Sequence, residues 1–214
     1  MSSMICPTIT ATTIDEYNRQ IDNVRGFASR IHIDLMDGDF APSKSVEVAD
    51  VWWPENIAAD IHVMYRNPES IISDLVRLKP NMVIVHPESS CDVAKFAAEL
   101  RTHGIRTGLA LLPATTVDSV EYLLPHVQQV LIFSGNLGYQ GGSEVDLELL
   151  GKAEEITRDW RHLEEIAWDG GINSDNAAVL VKGGIQVLNI GSFIQSSTNP
   201  AGAYRLIVQQ ISGI

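Results

Sequence analysis

Short runs of β-branched and other apolar residues recur along the chain every 20 to 30 residues or so. They fall at Met4–Ile9, Arg30–Met36, Asp60–Met64, Met82–His86, Thr107–Leu112, Val130–Phe133, Glu165–Asp169 and Val187–Ile190. Most are near-continuous rather than alternating, the pattern of parallel strands covered by helices. Helical patterns lie between them. Ile14–Phe27 follows the candidate cap Thr13, and Pro68–Leu78 opens on proline and stops at Lys79-Pro80. Val93–Arg101, Val117–Leu124, Leu147–Trp160, Asn176–Val181 and Ala201–Ile211 complete the set. Eight strands and about eight helices in strict alternation, without a linker, repeat or composition break, predict an α/β fold. Their number in 214 residues favours a single (β/α)8 TIM barrel domain over 1–214 rather than an open doubly wound sheet.

In such a barrel the chemistry belongs at the C-terminal ends of the strands. Residues two apart on a strand share a face, so His32, Asp34 and Met36 are expected to point together into the barrel mouth. Strand three places His62 and Met64 at the same spacing, and strand seven ends at Asp169. Taken singly, a strand histidine is more often a hydrogen-bonded core residue. Two imidazoles and two carboxylates from three strands are harder to obtain by chance, and point to a metal site or an acid–base site. Nitrogen with hard oxygen suits one borderline divalent ion such as Zn²⁺, Fe²⁺, Mn²⁺ or Co²⁺, and argues against Ca²⁺.

Glycines follow the last three strands: Gly135, Gly138, Gly141 and Gly142, then Gly170-Gly171, then Gly191-Ser192. Loops after the last two strands of such barrels often hold a phosphate on backbone N–H groups, although glycines there also simply make tight turns. The net charge of −12 makes local donors necessary for any anionic ligand. It also argues against nucleic acid and against an anionic membrane surface as partners. No segment reaches the roughly 20 apolar residues that cross a bilayer, and Met1–Pro7 has no signal-peptide pattern. Cys6 and Cys91 make no disulfide framework. The expected setting is the cytoplasm.

These motifs resemble the ribulose-phosphate 3-epimerase family over nearly the whole chain. Ile5-Cys6-Pro7-Thr8-Ile9 resembles the family's first strand, with Thr8 where a substrate-contacting serine is usual. His32-Ile33-Asp34-Leu35-Met36-Asp37-Gly38-Asp39-Phe40 is close to its most specific signature. Asp60-Ile61-His62-Val63-Met64, Trp168-Asp169-Gly170-Gly171-Ile172 and Gly191-Ser192 resemble its later motifs. The resemblance implies a barrel of the ribulose-phosphate-binding type in a homo-oligomer. It implies His32, Asp34, His62 and Asp169 as ligands of one divalent ion, with Asp34 the general base and Asp169 the general acid. Thr8, Met36, His62, Met64, Gly138, Tyr139, Gln140, Gly141, Gly170, Gly171, Gly191 and Ser192 would contact the substrate. That substrate would be a phosphorylated ketose, ribulose 5-phosphate converted to xylulose 5-phosphate. After strand six the family reads Met-Thr-Val-x-Pro-Gly-Phe-Gly-Gly-Gln. Here Phe133 replaces a pocket methionine, Leu137 the proline, and the glutamine is displaced to Gln140; Ser43 stands where an asparagine is usual.

Three rivals follow. The same chemistry on a hexulose 6-phosphate or an unphosphorylated ketose is one, and a sugar-phosphate-binding barrel without turnover is another. A decarboxylating or condensing relative would carry an Asp-x-Lys-x-x-Asp strand signature, which is absent. The segment Asn136–Ser143 is expected to cover the substrate. His86 and Glu88 lie at the rim, where a supporting role is expected. His103, His126 and His162 are expected to be solvated, Trp52-Trp53-Pro54 to be packed, Cys6 and Cys91 to be unreactive, and Glu144–Glu155 to form an exposed acidic helix face.

Overall fold

Eight parallel strands close on themselves in chain order: β1 Met4–Ile9, β2 Arg30–Met36, β3 Ala58–Met64, β4 Met82–Val85, β5 Arg106–Leu111, β6 Gln129–Phe133, β7 Glu165–Asp169 and β8 Val187–Ile190. β8 pairs back onto β1, Cys6 opposite Asn189. This is a (β/α)8 barrel, given by a computed structural model that describes residues 3–138 and 143–214. None of its helices is long and apolar enough to cross a membrane, among the described residues.

The alternation expected from the sequence sorts residues by face. Ile31, Ile33 and Leu35 of β2 join the apolar shell between sheet and helices, while Arg30, His32, Asp34 and Met36 face inward. The interior is built in levels. At the N-terminal end Arg30 pairs with Asp60 and, bidentately, with Glu165 at 2.7 and 2.8 Å, and Gln129 donates to Glu165. Above it lies an apolar floor of Cys6, Met82, Ile84, Ala110, Leu131, Ala167 and Val187. The titratable cluster crowns that floor.

The covering helices are α1 Ile14–Val24, α2 Ile72–Leu78, α3 Val93–Thr102, α4 Leu150–Asp159, α5 Ala177–Lys182, α6 Ser192–Gln195 and α7 Pro200–Ile211. Thr13 caps α1 by accepting from the Glu16 N–H. Two connections depart from strict alternation. β2 leads to β3 through a single 3₁₀ turn at Val48–Asp50, and the helix expected over Val117–Leu124 is two 3₁₀ turns, Asp118–Val120 and Leu124–His126. Pro125 lacks the N–H that a continuing helix needs. α2 and α4 are each entered through a 3₁₀ turn, which shortens the helices expected there.

Trp53 packs partly against the core, but Trp52 is 41% exposed, correcting the expectation that both are packed. The Trp52 indole donates to Asn18 and its carbonyl accepts from the Tyr17 hydroxyl, so α1 holds it at the surface. His103 and His162 are exposed and His126 is half-buried; the His162 ring also contacts the Leu124 carbonyl. Glu144, Glu148 and Glu154 are exposed, as expected of a solvated face. Burial pushes the Cys91 thiol up to about 12 and raises that of Cys6, so neither is a ready nucleophile.

Candidate active site and metal centre

The parallel register gathers the cluster. Asp34 of β2 lies opposite His62 of β3, and Phe133 of β6 opposite Asp169 of β7. His32, one turn of the pleat below Asp34, reaches across the barrel: its Nε2 is 3.3 Å from Asp34 Oδ1 and 3.5 Å from Asp169 Oδ2. His62 Nδ1 lies 3.1 Å from the same Asp34 oxygen and 3.9 Å from Asp169 Oδ2. One ligand atom from each of these four residues falls within 4.8 Å of all the others.

Both histidines are fully covered, while the two carboxylates keep 11% and 13% of their side-chain surface open. Burial alone would lower His32, but Asp169 and Asp34 outweigh it and push the ring up to about 10. Burial would raise Asp34, and the His32 and His62 rings overturn this, holding its carboxyl well below the usual range. The cluster is therefore a demand for positive charge between two acidic groups. Neither ring nitrogen of His32 has a hydrogen-bond partner, although both are buried. An orphaned imidazole facing two carboxylate oxygens and a second imidazole nitrogen suits a borderline divalent ion, and these residues fit one.

Above the cluster a pocket opens at the barrel mouth, with Asp34 and Asp169 in its wall. Of the expected substrate contacts, Thr8, Met36, Met64, Gly138, Gly170, Gly171, Gly191 and Ser192 line it. His62 lies beneath, covered, with the Phe133 ring 5.9 Å from its own. Tyr139, Gln140 and Gly141 lie outside the described residues, as does Gly142 within the expected cover 136–143. Met36 and Met64 pack with Phe40, Ala41 and Leu137, so the substituted loop after β6 still closes against the loop after β2. Gly170, at φ +113°, has backbone of Ser134 and Gly135 where a Cβ would stand, 2.3 Å from Gly135 N. The walls contain no lysine or arginine among the described residues.

The sequence reading missed three contributors. Thr10, just past β1, donates its hydroxyl proton to Asp34 Oδ2 at 2.6 Å, and the Gln20 side chain clamps its backbone N–H and C=O, each at 2.9 Å. Its signal is the same-face spacing from Thr8. Phe133, noted only as a substitution, walls the pocket, and Asn189 of β8 lines it from the floor side. His86, already expected in a supporting role, follows β4, with its Nε2 2.8 Å from His62 Nε2. Burial lowers His86 to about 4 against the opposing pull of Glu88, whose carboxylate accepts from the Thr115 hydroxyl.

The model of the ribulose-phosphate 3 epimerase family matches residues 4–195. The chain belongs to this family. It is an isomerase of the epimerase kind. Ribulose-phosphate 3-epimerase of Helicobacter pylori is 27% identical over 198 residues, 90% of this chain and 91% of that protein. That of Synechocystis is 29% identical over 209 residues, 94% and 90%. The chloroplastic ribulose-5-phosphate-3-epimerase of Arabidopsis thaliana is 28% identical over 215 residues, 94% and 75%. Among solved structures, 3-hexulose-6-phosphate synthase from Salmonella typhimurium superposes with a TM-score of 0.69 at 16% identity, covering 97% of this chain and 98% of that one. The tryptophan synthase alpha-subunit from Pyrococcus furiosus gives 0.73 at 15% identity, covering both chains fully. These distant likenesses concern the fold alone.

Proposed function

We propose that this member of the epimerase family, acting as a single barrel domain, interconverts ribulose 5-phosphate and xylulose 5-phosphate in a divalent-metal-dependent reaction with Asp34 and Asp169 as the two proton carriers. The observation that carries this reading is the four-residue cluster within 4.8 Å, whose two carboxylates alone reach the pocket wall. His32, Asp34, His62 and Asp169 would hold the ion. It would supply Lewis-acid stabilisation of the negative charge that develops on the substrate oxygen beside the reacting carbon.

Asp34 takes the proton from carbon 3 as base, and the C–H electron pair moves into the neighbouring carbonyl to give an enediolate. Asp169, entering from β7, returns a proton to the opposite face. The reverse reaction exchanges the two roles, so no further base is needed. General acid–base participation of this kind contributes about 10²–10⁴-fold. Met36, Met64 and Phe133 offer the intermediate no exchangeable proton. The phosphate is held at the rim by backbone around Gly170, Gly171, Gly191 and Ser192, the wall having no basic side chain to offer among the described residues.

That same lack of a cation, with Phe133 in the wall, favours a second reading: this chemistry on a hexulose 6-phosphate or an unphosphorylated ketose. Incubation of the metal-loaded protein with ribulose 5-phosphate, fructose 6-phosphate and free ribulose, followed by NMR, separates the readings. Conversion of ribulose 5-phosphate at the highest kcat/KM supports the first; preference for either other sugar replaces it.

A further inference from the structure

Asn189 is 2% exposed, yet neither its amide nitrogen nor its amide oxygen has a hydrogen-bond partner. Its neighbours explain why. In register it lies between Asp169 on β7 and Cys6 on β1, directly above the apolar floor that contains Ala167 and Val187. The floor offers no polar side chain apart from the weakly hydrogen-bonding Cys6 thiol, and neither end of the amide bonds to it. An unpaired buried amide is costly, and an apolar side chain would fill this position without that cost. The amide lines the pocket, beside the equally orphaned Thr8 hydroxyl.

We infer that Asn189 is a specificity-determining residue that reads the carbon-1 hydroxyl of the ketose; the inference rests on the epimerase reading above. A hydroxyl both donates and accepts, matching the two unpaired ends of an amide. Position selects which hydroxyl. Gly191-Ser192, placed at the phosphate end, follow directly on the C-terminal end of β8, nearer the rim than Asn189. Carbon 3 stands between Asp34 and Asp169, so the end pointing away from the rim, towards Asn189, is carbon 1. A site built to pair a buried hydroxyl strongly rejects the analogue that lacks it, because its own polar atoms are then left unpaired.

The test compares xylulose 5-phosphate with 1-deoxyxylulose 5-phosphate, following carbon-3 hydrogen exchange in heavy water for the native protein and for Asn189→Leu. The native protein is expected to favour the hydroxylated sugar by about 100-fold or more in kcat/KM. Asn189→Leu is expected to lose rate on xylulose 5-phosphate and to discriminate by less than about fivefold, since it has no unpaired amide to strand. Asn189→Ser, which keeps a donor and an acceptor, should restore part of the preference, and Asn189→Val gives the same reading should the leucine variant fail to fold. Equal exchange of both sugars by the native protein, or native discrimination persisting in the leucine or valine variant, overturns the inference alone. Exchange of neither sugar by the native protein overturns the epimerase reading with it.

Discussion

The Nε2 atoms of His62 and His86 stand 2.8 Å apart, so one ring donates and the other accepts. The carboxylate of Glu88 lies 3.7 Å from His86 Nδ1, too far for a hydrogen bond but near enough to favour a proton on that nitrogen. With the proposed ion bound, His86 Nε2 would accept from His62 Nε2–H, and His62 Nδ1, which contacts Asp34 Oδ1 at 3.1 Å, would offer its lone pair to the ion. His86→Phe removes that acceptor. Divalent-ion affinity, measured by Co²⁺ titration calorimetry, is predicted to fall about 10–100-fold. An unchanged affinity would show that the His62 tautomer is set elsewhere.

Thr10 fixes the carboxylate of Asp34 from the other side, holding Oδ2 while Oδ1 faces the histidines. Removing the hydroxyl in Thr10→Val frees a rotation that is otherwise broad for aspartate. The predicted result is a fall of about tenfold or more in kcat with KM nearly constant, restored by Thr10→Ser. Equal impairment of the serine variant would refute the role of the hydroxyl.

The fold was largely legible because the parallel strands are apolar on both faces, and the paired spacings of His32 with Asp34 and His62 with Met64 survived into the site. What escaped has local causes. Pro125 converts a helical pattern into two tight turns. Thr10 lies beyond the paired end of β1, so its approach to Asp34 depends on barrel closure and on Gln20 of α1. Asn189 sits within an apolar run, where one polar residue reads as an interruption until both of its neighbouring strands are known.

Gly170 carries a prediction about the rim. Gly170→Ala would place a methyl group against the Ser134–Gly135 backbone at a positive φ. Strain of this kind costs about 1–3 kcal/mol, equivalent to a fall of roughly 3–10 °C in melting temperature for a chain of this size. Calorimetry should show that fall, with KM for a phosphorylated ketose raised at the same time. A wild-type melting temperature would mean that the loop after β6 moves aside freely.

At the opposite end of the barrel, Arg30 pairs with both Asp60 and Glu165. Burial pushes Glu165 up, but the Arg30 guanidinium outweighs it and holds the carboxyl below its ordinary range. A lowered carboxyl stabilises the fold above its unfolded pKa, and that contribution is lost as pH falls through the folded value. Arg30→Met strands buried carboxylates and is predicted to cost about 3–5 kcal/mol at neutral pH. The deficit should narrow below about pH 4, where the native protein loses the same contribution. Urea unfolding across pH 3 to 8 checks this; a pH-independent deficit would contradict it.

Proton transfer between Asp34 and Asp169 is tested most directly by the hydrogen at carbon 3. In heavy water, conversion of ribulose 5-phosphate is predicted to place one solvent deuterium at carbon 3 of each xylulose 5-phosphate formed, with conversion reduced by at least about 10²-fold in Asp34→Asn and in Asp169→Asn. Product that keeps the substrate's own hydrogen, or either variant converting at the native rate, would contradict it.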